Sequence, residues 1–228
     1  MAAIKLLLDA GSGSLGGARP KASVRDGKLL KIAKFPHSSD AWDVMAWEKT
    51  ALDLAERAHI QCPTRELVKV SSQNVLLLDR FDRGGDNRIP YLSAMSLMQV
   101  KDGSHSDYVE LAEALAQHSS RAHNDLQELW RRIAFSIAIN NTDDHMRNHG
   151  FLREPSGWLL SPIFDINPDP DSNKQRVTGI NYITEPTQCQ DALNSASEYF
   201  GITNEDAASI WSEIREALSE CRTVERHS

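Results

Sequence analysis

Apolar residues recur along this chain in two rhythms, and the rhythm changes near its middle. In the first third, short apolar runs are broken by Gly, Asp and Pro. Residues 21–25 and 28–35 flank Asp26-Gly27, a dipeptide that tolerates positive φ, so the pattern predicts a tight β-hairpin. A Gly/Ser loop over 11–17 precedes it. A helix is predicted over 40–57, with Asp40 as its cap and Val44, Trp47, Ala51, Leu54 and Ala55 as its apolar stripe. Two further strands are predicted over 66–70 and 74–78. Beyond these the spacing becomes helical. Tyr108, Leu111, Ala112 and Leu115 share one face. Leu126, Leu129, Trp130, Ile133, Ala134 and Ile137 share a longer one. Thr203 caps a last helix carrying Ala207, Ile210, Trp211, Ile214 and Leu218.

A β-rich part followed by a helical part predicts an α+β, bilobal chain. We expect a small β-rich N-lobe over 1–83 and a larger, mostly helical C-lobe over 84–228. The stretch 140–187 reads as irregular and polar, and it holds most of the candidate chemistry. Clefts between lobes are favoured ligand sites.

Composition changes this picture little. With 228 residues, 40% hydrophobic and 25% charged, the chain is an ordinary soluble one with enough length for real cores. A formal net charge of −7 argues against a broad nucleic-acid face. Cys62, Cys189 and Cys221 lack metal-ligand spacing and read as reduced thiols. The run Ile4-Lys5-Leu6-Leu7-Leu8 is too short for a secretory leader and reads as a strand at most. No stretch approaches membrane-spanning length, so a cytoplasmic protein is expected, with no membrane partner.

The densest chemistry is Asn141-Thr142-Asp143-Asp144-His145-Met146-Arg147-Asn148-His149-Gly150, directly after the long apolar helix. An Asp and an Asn five residues apart on one loop suit phosphoryl transfer. The carboxylate can accept the proton of an attacking hydroxyl, and the amide oxygen can hold a divalent cation beside the phosphates. Asp165, after a short hydrophobic run, suits a magnesium ligand, since Mg2+ prefers a few hard oxygens. Lys34 ends an apolar strand, where it can meet phosphate charge. Glu48, on the next helix, is its candidate partner. The order of these parts is that of protein kinases. The 11–17 loop lacks the Gly-Lys-Ser/Thr ending of a P-loop, but its glycines let backbone N–H groups approach phosphate.

Several segments together resemble the HipA-like serine/threonine kinases of toxin–antitoxin systems. These are Ser14-Leu15-Gly16-Gly17-Ala18-Arg19-Pro20-Lys21, Ile32-Ala33-Lys34-Phe35-Pro36, Arg80-Phe81-Asp82-Arg83, Asn141-Thr142-Asp143-Asp144-His145 and Phe164-Asp165-Ile166-Asn167. The chain resembles a short form, lacking most of the N-terminal subdomain. The resemblance implies a kinase that uses ATP and Mg2+. Asp143 would be the catalytic base, with Asn148 and Asp165 holding the metal. Lys34, Gly16, Gly17 and His145 would bind ATP, and Asp79, Arg80 and Phe81 would meet adenine. Ser14 would be autophosphorylated, adding close to two negative charges to the phosphate loop and so switching the enzyme off. The implied partners are a protein substrate, such as an aminoacyl-tRNA synthetase, and an antitoxin through which any DNA contact would run.

Other readings compete at single positions. His145 and His149 have the i, i+4 spacing of zinc ligands, but no third ligand accompanies them. Arg131-Arg132 reads as a solvated helix edge, and the tryptophans read as core. A nucleotide-binding module without turnover, acting through a partner, and a small-molecule kinase are the alternatives to a protein kinase.

Overall fold

The computed structural model describes residues 19–85, 87–101 and 103–224, and side chains as far as Ser219. Ser14, Gly16 and Gly17, with the rest of the Gly/Ser loop and the run at 4–8, lie outside the described residues. The chain divides into two units, one of residues 1–50 and 63–88, the other of 51–62 and 89–228. An 83/84 boundary therefore falls inside a short strand of the first unit.

The first unit is built on a four-stranded antiparallel sheet. Its strands are β1 (Lys21–Asp26), β2 (Leu29–Lys34), β3 (Arg65–Val70) and β4 (Gln73–Asp79), in the order β1-β2-β4-β3. Asp26 pairs with Leu29, so the turn is Gly27-Lys28 rather than Asp26-Gly27. Only Gly27 takes positive φ, at +59°, where a glycine meets no β-carbon clash. Val75, Leu76, Leu77 and Leu78 are all buried in succession. A central strand covered on both faces loses the usual alternation. Ala22, Ala33, Phe35, Val70, Val75 and Leu77 form this unit's apolar core. Two-residue strands β5 (Arg83–Gly84) and β6 (Asn87–Arg88) pair with each other.

Helix α1 (Val44–Arg57) begins later than its sequence pattern predicts. Asp43 accepts the Ala46 N–H and caps it. Asp40 is instead taken up by Arg19, with Nη2 at 3.0 Å, and by the His37 N–H. Val44, Ala51, Leu54 and Ala55 are buried as expected, but Trp47 is half exposed, and so is Trp42. For these two tryptophans the core assignment fails. Glu48 takes the buried position that Trp47 was expected to fill.

The second unit is largely helical. Strand β7 (Tyr91–Ser93) leads into a single turn, α2 (Ala94–Leu97). Next come α3 (Tyr108–His118), α4 (Ala122–Ala138), α5 (Pro186–Ser195), a 3-10 turn (Ser197–Phe200) and α6 (Asn204–Val224). Tyr108, Leu111, Ala112 and Leu115 of α3 are fully buried, as are Leu129, Trp130, Ile133 and Ala134 of α4. Burying one such large side chain stabilises by about 1.5–3 kcal/mol. Thr203 caps α6 through the Asp206 N–H, and Asp206 returns a bond to the Thr203 N–H. Arg132 is buried beside Glu128, and Arg131 bonds Glu213, so this pair is an interior ion-pair edge rather than a solvated one.

The stretch 140–187 is not wholly irregular. It contains β8 (Gly150–Glu154) and β9 (Gly157–Leu160), a hairpin that pairs with β7 in the order β7-β8-β9. Side chains crowd Gly150 there. A β-carbon would come within 2.3 Å of the Tyr91 ring and 2.9 Å of Ser161 Oγ. Buried Asp125 in the first turn of α4 accepts from Ser119 Oγ at 2.8 Å and from the Leu160 N–H at 3.0 Å, tying α4 to this sheet. Among the described residues, no helix is long and apolar enough to cross a membrane, and Cys62 and Cys189 are free thiols.

Candidate functional site

In the first unit, Lys34 sits at the end of β2, opposite Leu76 of β4. It is 5% exposed, and its Nζ pairs with the Glu48 carboxylate, which is 1% exposed. This pair was expected from the sequence. Removing one partner of a buried ion pair is strongly destabilising. Asp79 closes β4 and lies 3.7 Å from Lys31 Nζ. Arg80 bonds its backbone N–H to Leu30 and folds its guanidinium onto Asp82 in a fork of 2.8 and 2.6 Å. Burial pushes the Asp82 carboxyl up, but Arg80 and Arg83 outweigh it and hold it below the ordinary carboxylate range. Phe81 follows, partly buried.

In the second unit, the loop from Asn140 to Gly150 leaves the C-terminal end of α4. Asn140 takes φ +55°, and the Asn141 N–H returns to the Ser136 carbonyl at 2.8 Å. The loop then alternates. Asn141 and Thr142 are buried, Asp143 is exposed, and Asp144 is buried again at 5%. The Asp143 carbonyl accepts from the His145 N–H at 3.0 Å and from Asn148 Nδ2 at 3.2 Å. With Nδ2 committed, the remaining polar atom of the Asn148 amide is Oδ1, an acceptor. Asn148 is thus turned back on the backbone of Asp143.

Asp144 anchors a buried polar network that the sequence reading assigned no role. Its Oδ2 accepts from Tyr108 Oη at 2.5 Å and from Ser136 Oγ at 3.2 Å. Arg176 Nη2 stands 3.8 Å from the same oxygen and donates to Ser136 Oγ at 2.9 Å and Tyr108 Oη at 3.2 Å. His149 Nε2 lies 3.2 Å from Asp144 Oδ1, outside hydrogen-bond angles, with its ring edge-on to Tyr108. Burial pushes the Asp144 carboxyl up. His149, then Arg176 and Tyr108, outweigh it and hold the carboxyl far below its ordinary range. Burial raises the Tyr108 hydroxyl well above its own, with the Asp144 charge adding to it. A sequence signal for the network existed in the adjacent Asp143-Asp144, since only one of two neighbours on a turn can face out.

Asp165 takes φ +59°, a left-handed conformation that Asp tolerates better than most residues. Strained backbone of this kind concentrates at functional sites. Two residues on, Asn167 Oδ1 is buried with no hydrogen-bond partner, and so are His145 Nδ1 and Asn141 Nδ2. Buried polar atoms without partners are rare in folded chains. The segment after Asp165 is laced to the loop. Asp169 bonds its N–H to the Asn140 carbonyl at 2.9 Å, and Thr142 Oγ1 donates to its carboxylate at 3.2 Å.

Among the described residues, no group of three or more His, Cys, Asp or Glu side chains is placed to hold a metal ion. A magnesium site needs only one or two carboxylates together with neutral oxygens and phosphate. Asp165, the Asn148 Oδ1 and the orphaned Asn167 Oδ1 fit that donor chemistry. Asn167 belongs to the quoted segment, but the sequence reading gave it no task.

Comparison with known proteins places this arrangement. A family model described as the HipA-like C-terminal domain matches residues 13–221. Over 167 residues the chain is 25% identical to Toxin YjjJ of Escherichia coli K12, covering 68% of this chain and 38% of that protein. The solved HipA of Shewanella oneidensis MR-1, in complex with HipB and its operator DNA, is similar at TM-score 0.73 and 19% identity. That likeness covers 91% of this chain and 57% of HipA. The Helicobacter pylori proinflammatory kinase CtkA is similar at TM-score 0.64 and 16% identity, over 92% of this chain and 91% of CtkA. The fold is that of these kinases, and the chain spans well under two thirds of YjjJ and of HipA.

Proposed function

Because the chain belongs to the HipA-like C-terminal domain family, we propose that it is a serine/threonine protein kinase of the HipA toxin type, dependent on ATP and Mg2+. The observation that carries this reading is the loop at 140–150, where Asp143 alone of its acidic pair faces outward. Asp143 takes the proton of a protein hydroxyl as its oxygen bonds to the γ-phosphorus and ADP leaves. Asp165, Asn148 and Asn167 would hold Mg2+, which supplies charge neutralisation at the phosphates. Lys34, fixed by Glu48, would meet the phosphates with Gly16 and Gly17. Asp79, Arg80 and Phe81 would meet adenine, and His145 would contact the nucleotide.

Ser14 is the proposed site of autophosphorylation and of the off-switch. The proposed partners are an antitoxin, through which DNA would be reached, and a protein substrate of the aminoacyl-tRNA synthetase class. A cytoplasmic location goes with these partners.

The test is transfer of labelled γ-phosphate from ATP with magnesium, using the wild-type chain and Asp143→Asn. Transfer by the first and a loss of at least a hundredfold in the second, with ATP binding retained, supports the reading. Near-normal rates in the variant would refute the base assignment. ATP binding with no transfer by either would indicate the silent module instead.

A further inference from the structure

Asp143 is exposed, and the loop that carries it is held by its backbone. Among the described residues, the hydrogen bonds at Asp143 go to its carbonyl, from the His145 N–H at 3.0 Å and Asn148 Nδ2 at 3.2 Å. The carbonyls on either side are taken by a strip of consecutive residues, 176–178. The Val177 N–H donates to the Thr142 carbonyl at 3.0 Å, and Thr178 Oγ1 donates to the Asp144 carbonyl at 2.6 Å. From the same strip the Arg176 guanidinium approaches the Asp144 carboxylate, at 3.8 Å. Three successive carbonyls, 142 to 144, are thus engaged, and the two that flank Asp143 depend on the strip.

The strip is anchored in turn at the start of α3. The Gly179 N–H donates to the Ser106 carbonyl at 2.9 Å, and the Gly179 carbonyl accepts from the Tyr108 N–H at 3.0 Å. Just beyond, Ile180 and Ile183 exchange both backbone hydrogen bonds, at 2.9 and 3.0 Å, so Asn181 and Tyr182 form a two-residue turn. Both take positive φ, +49° and +67°. The buried Asp107 carboxylate accepts from their N–H groups at 3.2 and 2.7 Å, and it caps α3 through the Val109 N–H at 2.8 Å. The loop of Asp143 is therefore referred, through the strip, to the N-terminus of a packed helix.

Within the strip, Thr178 makes the one bond that comes from a side chain to the backbone beside Asp143. It is 1% exposed, and valine would fill the same buried space, so packing accounts for its shape and not for its hydroxyl. Nor does Tyr108 serve the Asp144 carbonyl in its place. Its Oη stands 3.5 Å away, and its single proton is committed to Asp144 Oδ2 at 2.5 Å. We propose that Thr178 is a positioning residue for phosphoryl transfer: its hydroxyl fixes the backbone after Asp143 and so aims the Asp143 carboxylate at the accepting hydroxyl. The proposal rests on the phosphoryl-transfer reading above. A general base works only within hydrogen-bond reach of the proton it takes. Misplacing a reacting group by about 1 Å costs on the order of a hundredfold in rate.

The experiment measures phosphate transfer from Mg-ATP to a pool of serine-centred peptides by the full chain, at a temperature where circular dichroism shows every variant folded. Thr178→Val should lower kcat about tenfold or more and leave KM for ATP unchanged. Thr178→Ser, which keeps the hydroxyl, should recover most of the rate. The decisive comparison is made in the Asp143→Asn background. There Thr178→Val should cost less than about twofold further, because a residue that acts through the carboxylate has nothing left to aim. Should Thr178→Val fail to fold, Thr178→Ala makes the same comparison. A role in stability alone would lower the melting temperature and leave the rate per folded molecule as in wild type. That result would overturn the proposal, as would equal losses in the two backgrounds, or a change confined to KM for ATP. Each leaves phosphoryl transfer standing. No transfer by wild type, or full transfer by Asp143→Asn, would instead sink the reading beneath the proposal, and the proposal with it.

Discussion

Replacing Asp144 by Ala should unfold this protein more readily than replacing the neighbouring Asp143. The Asp144 carboxylate accepts from Tyr108 at 2.5 Å and Ser136 at 3.2 Å, and it faces the buried Arg176 guanidinium at 3.8 Å. Without it, a guanidinium on a residue only 5% exposed loses its ion-pair partner. Breaking a buried pair in this way costs about 3–5 kcal/mol, set against a total stability of about 5–15 kcal/mol. In urea, with a slope of about 3 kcal/mol/M, the midpoint should fall by about 1–1.7 M. Asp144→Asn keeps the volume and loses the charge, so it should fall nearly as far. Arg176→Met added to Asp144→Ala should recover part of the loss, because the orphaned charge goes with it. The pH dependence has a definite sign. The folded carboxyl is held far below its unfolded value of about 3.9. Its contribution is therefore complete above that value and declines as pH falls from about 4. Wild type should lose stability below about pH 4 more steeply than the variant. A midpoint shift under about 0.3 M for Asp144→Ala, or a double variant worse than the single, would refute the reasoning.

Gly150→Ala should cost about 1–3 kcal/mol by thermal unfolding, since its β-carbon meets the Tyr91 ring, and Tyr91→Ala should restore much of the loss. Lys34→Met should destabilise by about 3–5 kcal/mol through the broken ion pair with Glu48, and Glu48→Gln placed beside it should relieve part of that cost in urea unfolding. Asp165→Asn should weaken magnesium-dependent ATP binding, read by titration calorimetry with and without the metal. Asp107→Ala removes the α3 cap together with both turn bonds and should cost about 1–3 kcal/mol by urea unfolding.

The hairpin at 21–34 and the helical stripes around Tyr108 and Trp130 were legible from turn residues and a regular period, and the strands at 65–79 as short apolar runs. The Lys34–Glu48 pair was legible from an ordered set of residue types, whereas the turn of Asn148 onto the Asp143 backbone was not. The α1 start was misplaced because Asp40 and Asp43 are chemically equal caps, and only Arg19 and His37 decide which is free to cap. Strands β8 and β9 were missed although Pro155-Ser156 separates two apolar runs, since the surrounding polar loops mask so short a signal. The adjacent Asp143-Asp144 signalled that one of them turns inward, but the partners of Asp144 could not be read. Tyr108, Ser136, Asp144 and Arg176 are spread over 69 positions of sequence, and only the packing of α3, α4 and two loops unites them. Nor does sequence alone show that Tyr182 occupies a left-handed turn.

The alternation of exposed Asp143 and buried Asp144 sets two adjacent codons under unrelated kinds of selection. A genetic screen for loss of function will recover changes at both alike. They part in the cell extract. A chain altered at 143 should accumulate to normal levels and still occupy its ligands, so it can compete with an active copy. A chain altered at 144 should be cleared by proteases, because a few kcal/mol lost from a marginal fold changes abundance several-fold. On the proposed reading, the first change leaves a stable competitor, and the change at its neighbour leaves only an absence.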